Sequence, residues 1–217
     1  ILYFSVLQAF VFWGSDTIGV KLISKFPMNG VNFLRSFALF KVISFFLTSV
    51  LVILYFYFEY DRLTFIFSLA VGISTFFVII DYFNTFNEAT LRSHINVIAN
   101  VIGLSISFGI RYLIVEMKLS PEYLSIPIVA QGLIPFVIRF CVFKKNNKSH
   151  SFFYKPKFKL IKYGISSGFG LVISTVSVMV YLNVGRVLLS KFDSMFALGI
   201  YSVAIALGTS WSFVNSA

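Results

Sequence analysis

The chain has 217 residues, of which 58% are hydrophobic, 19% are aromatic and only 12% carry a charge. Soluble globular domains are about 45–50% apolar and about 25% charged, so this composition argues against a soluble domain, which would lack the polar side chains to cover its surface. The eighteen Lys and Arg residues outnumber the eight Asp and Glu residues, and the resulting formal net charge of +10 needs an explanation other than solubility.

Long apolar runs predict that the chain crosses a membrane several times. A bilayer core of about 30 Å requires about 20 helical residues, and unbroken runs such as FFLTSVLVILYFYF favour helices over the alternating strands of a membrane barrel. We therefore predict an all-α integral membrane protein, a multi-pass helical bundle with about seven spans. In chain order the predicted spans are 1–20, 36–58, 63–83, 95–115, 122–143, 160–183 and 196–217.

The loops between these spans differ in positive charge. Numbered along the chain, the odd loops and the span ends beside them carry thirteen Lys and Arg residues, and the even loops with their span ends carry five. Cytoplasmic loops are enriched in Lys and Arg, so we expect the odd loops inside the cell. The densest stretch, 138–164, holds eight Lys and Arg residues and no acid. We expect it to anchor the topology and to contact anionic lipid; nucleic-acid binding is not expected, because no folded binding module surrounds it.

This charge pattern also predicts how the chain is organised. Residues 1–143 are expected to form an N-terminal helical bundle, residues 144–159 a basic cytoplasmic linker, and residues 160–217 the start of a C-terminal bundle. Both ends of the sequence lie inside apolar runs. We therefore expect a fragment, with each bundle truncated at its outer limit.

The sequence gives little support for an enzyme. Cys141 is the single cysteine, and His94 and His150 lack the spacing of metal ligands. The GxGxxG and Walker A patterns do not occur. We expect no catalytic residues, no cofactor and no metal. A membrane enzyme such as a sugar polymerase or an acyltransferase is the alternative from another functional class.

Charged side chains inside the predicted spans are the candidates for function. A charge at the bilayer centre costs about 2.5–3.5 kcal/mol or more, so such residues tend to mark pathways. For each of them a structural role is the competing interpretation, either pairing inside the bundle or extension to the interface. Arg139 lies near the predicted cytoplasmic end of its span and is expected to extend to that interface. The other candidates are Asp16, Arg35, Lys41, Asp81, Arg111 and Arg186.

Three segments resemble a known family of membrane transporters. The stretch IIDYFNTFNEATLRSHINVIANVIGLSISFGIR (79–111) is similar to a segment of bacterial O-antigen flippases, where an acid precedes an aromatic pair, a polar stretch and a span ending in Arg. LGIYSVAIALGTSWSFV (198–214) resembles a Gly-hydrophobic-Tyr-Ser block of the same polysaccharide transporter family, and WGSDTIGVKLISK (13–25) resembles the end of its second helix. The order and spacing of the three segments carry the resemblance.

The resemblance implies a fold, a substrate and a set of site residues. The fold would be the two-lobed, V-shaped exporter type, with the basic linker joining two bundles. The substrate would be an oligosaccharide on undecaprenyl diphosphate, moved across the bacterial inner membrane, with polysaccharide polymerase and chain-length proteins as possible partners. Arg suits phosphate recognition, so a cationic cavity would bind the diphosphate, and Asp16 or Asp81 would couple transport to an ion gradient. The cavity candidates are Arg35, Lys41, Arg111 and Arg186.

A second transporter interpretation shares this fold. An ion-coupled exporter of small molecules belongs to the same superfamily as the flippases. Drug pumps favour cationic substrates and an acidic cavity, whereas the spans of this chain hold more cations than acids. The flippase interpretation is therefore preferred.

Overall fold

The computed structural model describes residues 2–146, 157–192 and 195–210, and this part of the chain forms nine α-helices, one short 3-10 turn and no strand. The prediction of an all-α chain is confirmed for these residues. The 3-10 turn is Pro121–Leu124. The helices are α1 Leu2–Phe12, α2 Ser15–Lys25, α3 Pro27–Glu59, α4 Arg62–Ile80, α5 Tyr82–Ala89, α6 Ser93–Glu116, α7 Ser125–Asn146, α8 Phe158–Phe192 and α9 Met195–Ser210.

Five helical segments of the described chain are long and apolar enough to cross a membrane. Their surfaces carry many large apolar side chains; Leu47 and Leu51 of α3, for example, are each 69% exposed. Such a surface suits a lipid environment and is compatible with a membrane helical bundle. The segments are Pro27–Glu59, Arg62–Ala89, Ser93–Glu116, Pro121–Lys145 and Phe158–Val178.

The first predicted span, 1–20, is not one continuous helix. It is broken between α1 and α2 by two consecutive residues with left-handed backbone, Trp13 (φ 47°) and Gly14 (φ 63°). Each of the two helices has eleven residues, about 17 Å in length, and is too short to cross a bilayer core alone. A Cβ on Gly14 would lie 2.7 Å from the Leu171 Cβ, so this turn requires glycine for space as well as for its φ angle.

The third predicted span, 63–83, is interrupted as well. Helix α4 ends at Ile80, and Asp81 then caps the short helix α5 by accepting a hydrogen bond from the Asn84 backbone N–H (3.3 Å). An aspartate is a favoured N-cap, so the residue that ends one helix begins the next. The last predicted span, 196–217, corresponds to α9, and residues 211–217 lie outside the described residues.

The chain divides into two compact units, 1–173 and 174–217. In the first unit, the beginning of α8 packs against the break before α2, because the Trp13 indole N–H donates to the Ile165 carbonyl (2.9 Å). In the second unit, Gly185 of α8 lies against Tyr201 of α9. The boundaries predicted at 143 and 160 stay a prediction, and most of the predicted linker (147–156) lies outside the described residues.

Apolar side chains fill the first unit around a cluster of five buried residues, called here the Phe45 cluster. It joins helices α1, α3 and α4, and every member is at most 5% exposed. A second buried cluster joins α2 to α3 and is covered by α5 and α8. The Phe45 cluster consists of Phe4, Leu7, Val11, Phe45 and Ile79.

Candidate functional site

A cavity of about 240 Å³ lies between α2, α4, α5, α6 and α7 in the first unit. It is called here the charged cavity, because two carboxylates and a guanidinium line it. The two helix breaks position it, since α2 begins directly after Gly14 and α5 directly after Asp81. Its lining residues are Phe12, Asp16, Val78, Asp81, Asn84, Thr85, Asn100, Gln131, Gly132, Pro135 and Arg139.

One wall of the charged cavity is a buried ion pair between Asp81 and Arg139. Each residue is 7% exposed, and Arg139 Nη1 donates to Asp81 Oδ2. The second terminal nitrogen of Arg139 donates to the side-chain oxygen of Asn100, while Asp81 Oδ1 accepts from the Asn84 backbone. Of the buried side-chain nitrogen and oxygen atoms of this pair, Arg139 Nε alone has no hydrogen-bond partner. Buried charges are tolerated when they are paired and hydrogen-bonded. This pair meets both conditions, because its partners lie on α5, α6 and α7 and Asp81 also caps α5.

A second ion pair, between Asp16 and Lys41, adjoins the cavity, which Asp16 lines. Lys41 Nζ donates to Asp16 Oδ1 at 3.0 Å, and the Thr85 hydroxyl donates to the same oxygen at 3.0 Å. Lys41 is buried with its ammonium 4.3 Å from the centre of the Phe12 ring, whereas the side chain of Asp16 is 40% exposed. The pair is therefore asymmetric: the ammonium is enclosed by protein, and the carboxylate opens into the cavity.

The charged cavity lies well inside the helices that form it. Arg139 is seven residues before the end of α7, and Asn100 is seven residues after the start of α6, so each lies about 10 Å along its helix from the same end of the bundle. Asp81 is eight residues before the end of α5, at a similar distance. The Asp81–Arg139 pair therefore lies about two helical turns from these helix ends.

Asparagine side chains hold α5 against α6 beside the cavity. The Asn87 amide donates to the Asn96 side-chain oxygen (2.9 Å), and the Asn96 amide donates to the Asn84 carbonyl (3.0 Å). Asn87 and Asn96 are both buried. Asn96 therefore joins two helices by hydrogen bonds, and the same bonds fix the segment that carries Asn84 and Thr85 into the cavity.

The structure brings together only part of the set of residues predicted from the sequence. Asp16 and Asp81 line the charged cavity, and Lys41 is bonded to Asp16. Arg35 lies elsewhere, half-buried on α3 beside the Tyr82 hydroxyl. Arg111 is half-exposed, 5.9 Å from the Phe108 ring, and is not among the lining residues of this cavity. Arg186 belongs to α8, and its side chain lies outside the described residues.

Arg139 is the residue that sequence reasoning placed wrongly. It does not extend to the helix end; it turns into the bundle because Asp81 and Asn100 offer it two acceptors there. Gln131 and Thr85 also line the charged cavity, and neither was predicted as a site residue. One available signal was that Asp81 and Arg139 have opposite charges and lie at similar distances from the ends of spans predicted to share one side.

Comparison of the chain with protein-family models, with curated proteins and with solved structures found no match. The resemblance to O-antigen flippases therefore stays a prediction from three sequence segments. Among the residues that the structure describes, no group of three or more His, Cys, Asp or Glu side chains forms a metal site. The chemistry of the charged cavity consequently rests on its own geometry, which offers hydrogen-bonding groups and two balanced ion pairs.

Proposed function

We propose that the protein is a membrane transporter and that the charged cavity couples its conformational change to the binding of a small polar species. The observation that carries this proposal is the placement of two ion pairs, Asp81–Arg139 and Asp16–Lys41, at one cavity, with three of the four residues on segments long and apolar enough to cross a membrane. Ionised residues at such depth are costly and tend to mark ion or substrate pathways. A purely structural bundle would gain as much from apolar side chains of the same volume.

The size and charge of the cavity limit what it holds. A volume of about 240 Å³ accommodates several water molecules or a small hydrated ion, since a water molecule occupies about 30 Å³ in the liquid. An oligosaccharide repeat unit is several times larger. The wall charges cancel in pairs, so the cavity is not the cationic one that the resemblance implied. Its proposed role is coupling, and a sugar substrate would bind on another surface.

The proposed substrate is an oligosaccharide linked to undecaprenyl diphosphate, moved across a bacterial inner membrane. Support for this substrate comes from the order of the three family-like segments and from the basic stretch at 138–164, which suits a cytoplasmic linker between two bundles. A two-lobed, V-shaped exporter fold and contacts with polymerase and chain-length proteins belong to the same proposal. Arg111 and Arg186 remain its candidate diphosphate-binding residues.

The test uses deletion of the full-length gene in its own host. The transporter proposal predicts loss of surface polysaccharide together with complete lipid-linked repeat units stranded on the cytoplasmic side. Complementation with Asp81→Asn or Asp16→Asn is expected to restore less than about a tenth of the polymer made with the wild-type gene, because each change removes one charge from a buried pair. Arg62→Gln is the matched control, because Arg62 is exposed and distant from the cavity in sequence.

Two results would contradict the flippase proposal. Repeat units that reach the outer face but are not polymerised would identify a polymerising enzyme instead. Full complementation by both aspartate variants, at wild-type protein levels, would show that the charged cavity takes no part in transport. Immunoblotting of membrane fractions checks the protein level of every variant.

An ion-coupled exporter of small molecules is the second candidate function. The exposed carboxylate of Asp16 and the modest volume of the cavity favour it, because both suit a small cationic species better than an anionic sugar. Uptake of a fluorescent organic cation into inverted vesicles that carry the protein distinguishes the two candidates. Gradient-dependent uptake supports the exporter, and its absence alongside stranded repeat units supports the flippase.

A further inference from the structure

Arg35 presents an unoccupied edge of its guanidinium. Its Nε and Nη2 atoms are both buried and have no hydrogen-bond partner. These two nitrogens donate in parallel from one edge of the guanidinium, the geometry that binds two oxygens of a carboxylate or phosphate at once. Buried donors without partners are rare and each costs free energy, so this edge is a strong candidate for a ligand contact.

The chain supplies no carboxylate for that edge at this end of the first unit. Asp81 and Asp16 are already paired, and Glu88 accepts from the Asn84 side-chain amide (2.8 Å). The basic stretch 138–164 holds no acid at all. The end is instead surrounded by exposed cations, namely Lys21, Lys25, Arg92, Lys144, Lys145, Lys159 and Lys162. An anion from outside the chain would accept hydrogen bonds from the free edge of Arg35 and would offset the surplus positive charge around it.

A groove of about 590 Å³ lies between α2, α3 and α5, one helical turn from Arg35. Val31 and Phe86 line it, and they lie one helical turn from Arg35 on α3 and from Tyr82 on α5, respectively. Tyr82 lies near enough to Arg35 to interact with its charge. The remaining lining residues are Ile23, Ser24, Pro27, Met28, Ala89 and Thr90.

The position of Arg35 along α3 matches the level of lipid phosphates. Helix α3 has 33 residues and is about 50 Å long, whereas about 20 residues cross the bilayer core. Its first turns therefore project beyond the core, and Arg35, eight residues from the start, lies at the boundary. The hydropathy pattern gives the same result, since the predicted span begins at residue 36.

We infer that Arg35 binds the phosphate group of an anionic phospholipid, reached through the groove between α2, α3 and α5. The guanidinium edge contacts two phosphate oxygens, and the surrounding lysines favour a headgroup without a compensating positive charge. The edge is covered in the present conformation, so binding also moves side chains along the groove. This site is separate from the charged cavity and does not depend on the transported substrate.

The experiment measures lipid binding by the full chain purified in detergent, using native mass spectrometry and thermal unfolding. Phosphatidylglycerol is expected to bind and raise the melting temperature more than phosphatidylcholine, because a choline headgroup is repelled by the basic surface. Arg35→Gln and Arg35→Lys are both expected to weaken phosphatidylglycerol binding by about tenfold, since lysine keeps the charge but loses the two-donor edge.

Arg92→Gln is the matched control, because Arg92 is an exposed cation at the same end of the bundle. Binding that falls equally in Arg92→Gln and Arg35→Lys would overturn the inference, as it would reflect surface charge alone. Inorganic pyrophosphate is added to the wild-type protein as a competitor, which needs no variant to fold. Displacement of lipid by pyrophosphate at micromolar concentration would assign the Arg35 edge to a free phosphate ligand. Equal binding of phosphatidylglycerol and phosphatidylcholine would contradict the inference that the site selects an anionic headgroup.

Discussion

Two neighbouring regions of the first unit, the Phe45 cluster and the charged cavity, differ in the kind of side chain that they bury. The Phe45 cluster carries no charged side chain, whereas the charged cavity is lined by the Asp81–Arg139 pair and by Asp16 of the second pair. Lys41 is four residues before Phe45 on α3, and Asp81 is two residues after Ile79. Helix α3 and the end of α4 thus carry members of the apolar cluster and, within about 6 Å along the axis, members of the two ion pairs.

The difference between the two layers indicates that the apolar layer serves stability and that the charged layer needs another explanation. An apolar layer packs by van der Waals contact and needs no matched partner, while each buried charge requires a specific counter-charge at a specific register. A bundle of this size could be held by apolar layers throughout. The presence of the charged layer beside an apolar one is therefore an argument for function, and substitutions in the two layers should have different consequences.

The largest effect is expected from Arg139→Gln. The change leaves the Asp81 carboxylate buried without its counter-charge and should lower the free energy of unfolding by about 3–5 kcal/mol. Thermal unfolding of the purified protein in detergent measures it. Arg62→Gln, which removes an exposed arginine, should leave the melting temperature nearly unchanged. Equal shifts in the two variants would show that the Asp81–Arg139 pair is not formed in the protein.

Removing both charges of that pair together separates stability from function. Asp81→Asn combined with Arg139→Gln should recover more than half of the stability lost in Arg139→Gln alone, because no uncompensated charge remains buried. The same double variant should still fail to restore surface polysaccharide. Restored transport in the stable double variant would make the pair purely structural and the two layers equivalent.

The Asp16–Lys41 pair should respond unequally to the loss of either partner. Asp16→Asn leaves the buried Lys41 ammonium without a counter-charge and is expected to cost about 2–3 kcal/mol, whereas Lys41→Met leaves a carboxylate that is open to the cavity and should cost about half as much. Melting temperatures of the two single variants test the asymmetry. The reverse order would mean that Asp16, not Lys41, is the enclosed member.

The smallest effect is expected in the apolar layer. Ile79→Val removes one methylene from the Phe45 cluster and should cost about 0.5–1.5 kcal/mol with transport unchanged. Complementation and thermal unfolding are measured side by side with the Arg139→Gln variant. A loss of transport in Ile79→Val at normal protein level would show that the apolar layer also takes part in the mechanism.

The sequence alone determined the class of the chain and most of its helices. Hydropathy and helix length are properties of consecutive residues, so the long apolar runs identified segments that the structure also shows as apolar helices, such as α6 (93–116) against the predicted 95–115. Local pattern was less informative at the breaks. Gly14 follows Trp13 in an apolar run, and Asp81 follows two isoleucines. No proline marks the end of either helix.

Only the tertiary structure decided which charged residues form the site. Asp81 and Arg139 are 58 residues apart, and Asp16 and Thr85 are 69 apart, so their contacts depend on how the helices are aligned and rotated. The apolar composition of the spans hides that rotation, because helices that are hydrophobic all round show no preferred face. Sequence reasoning could therefore name Asp16, Lys41 and Asp81 as candidates, but pairing Arg139 with Asp81 required the packed bundle.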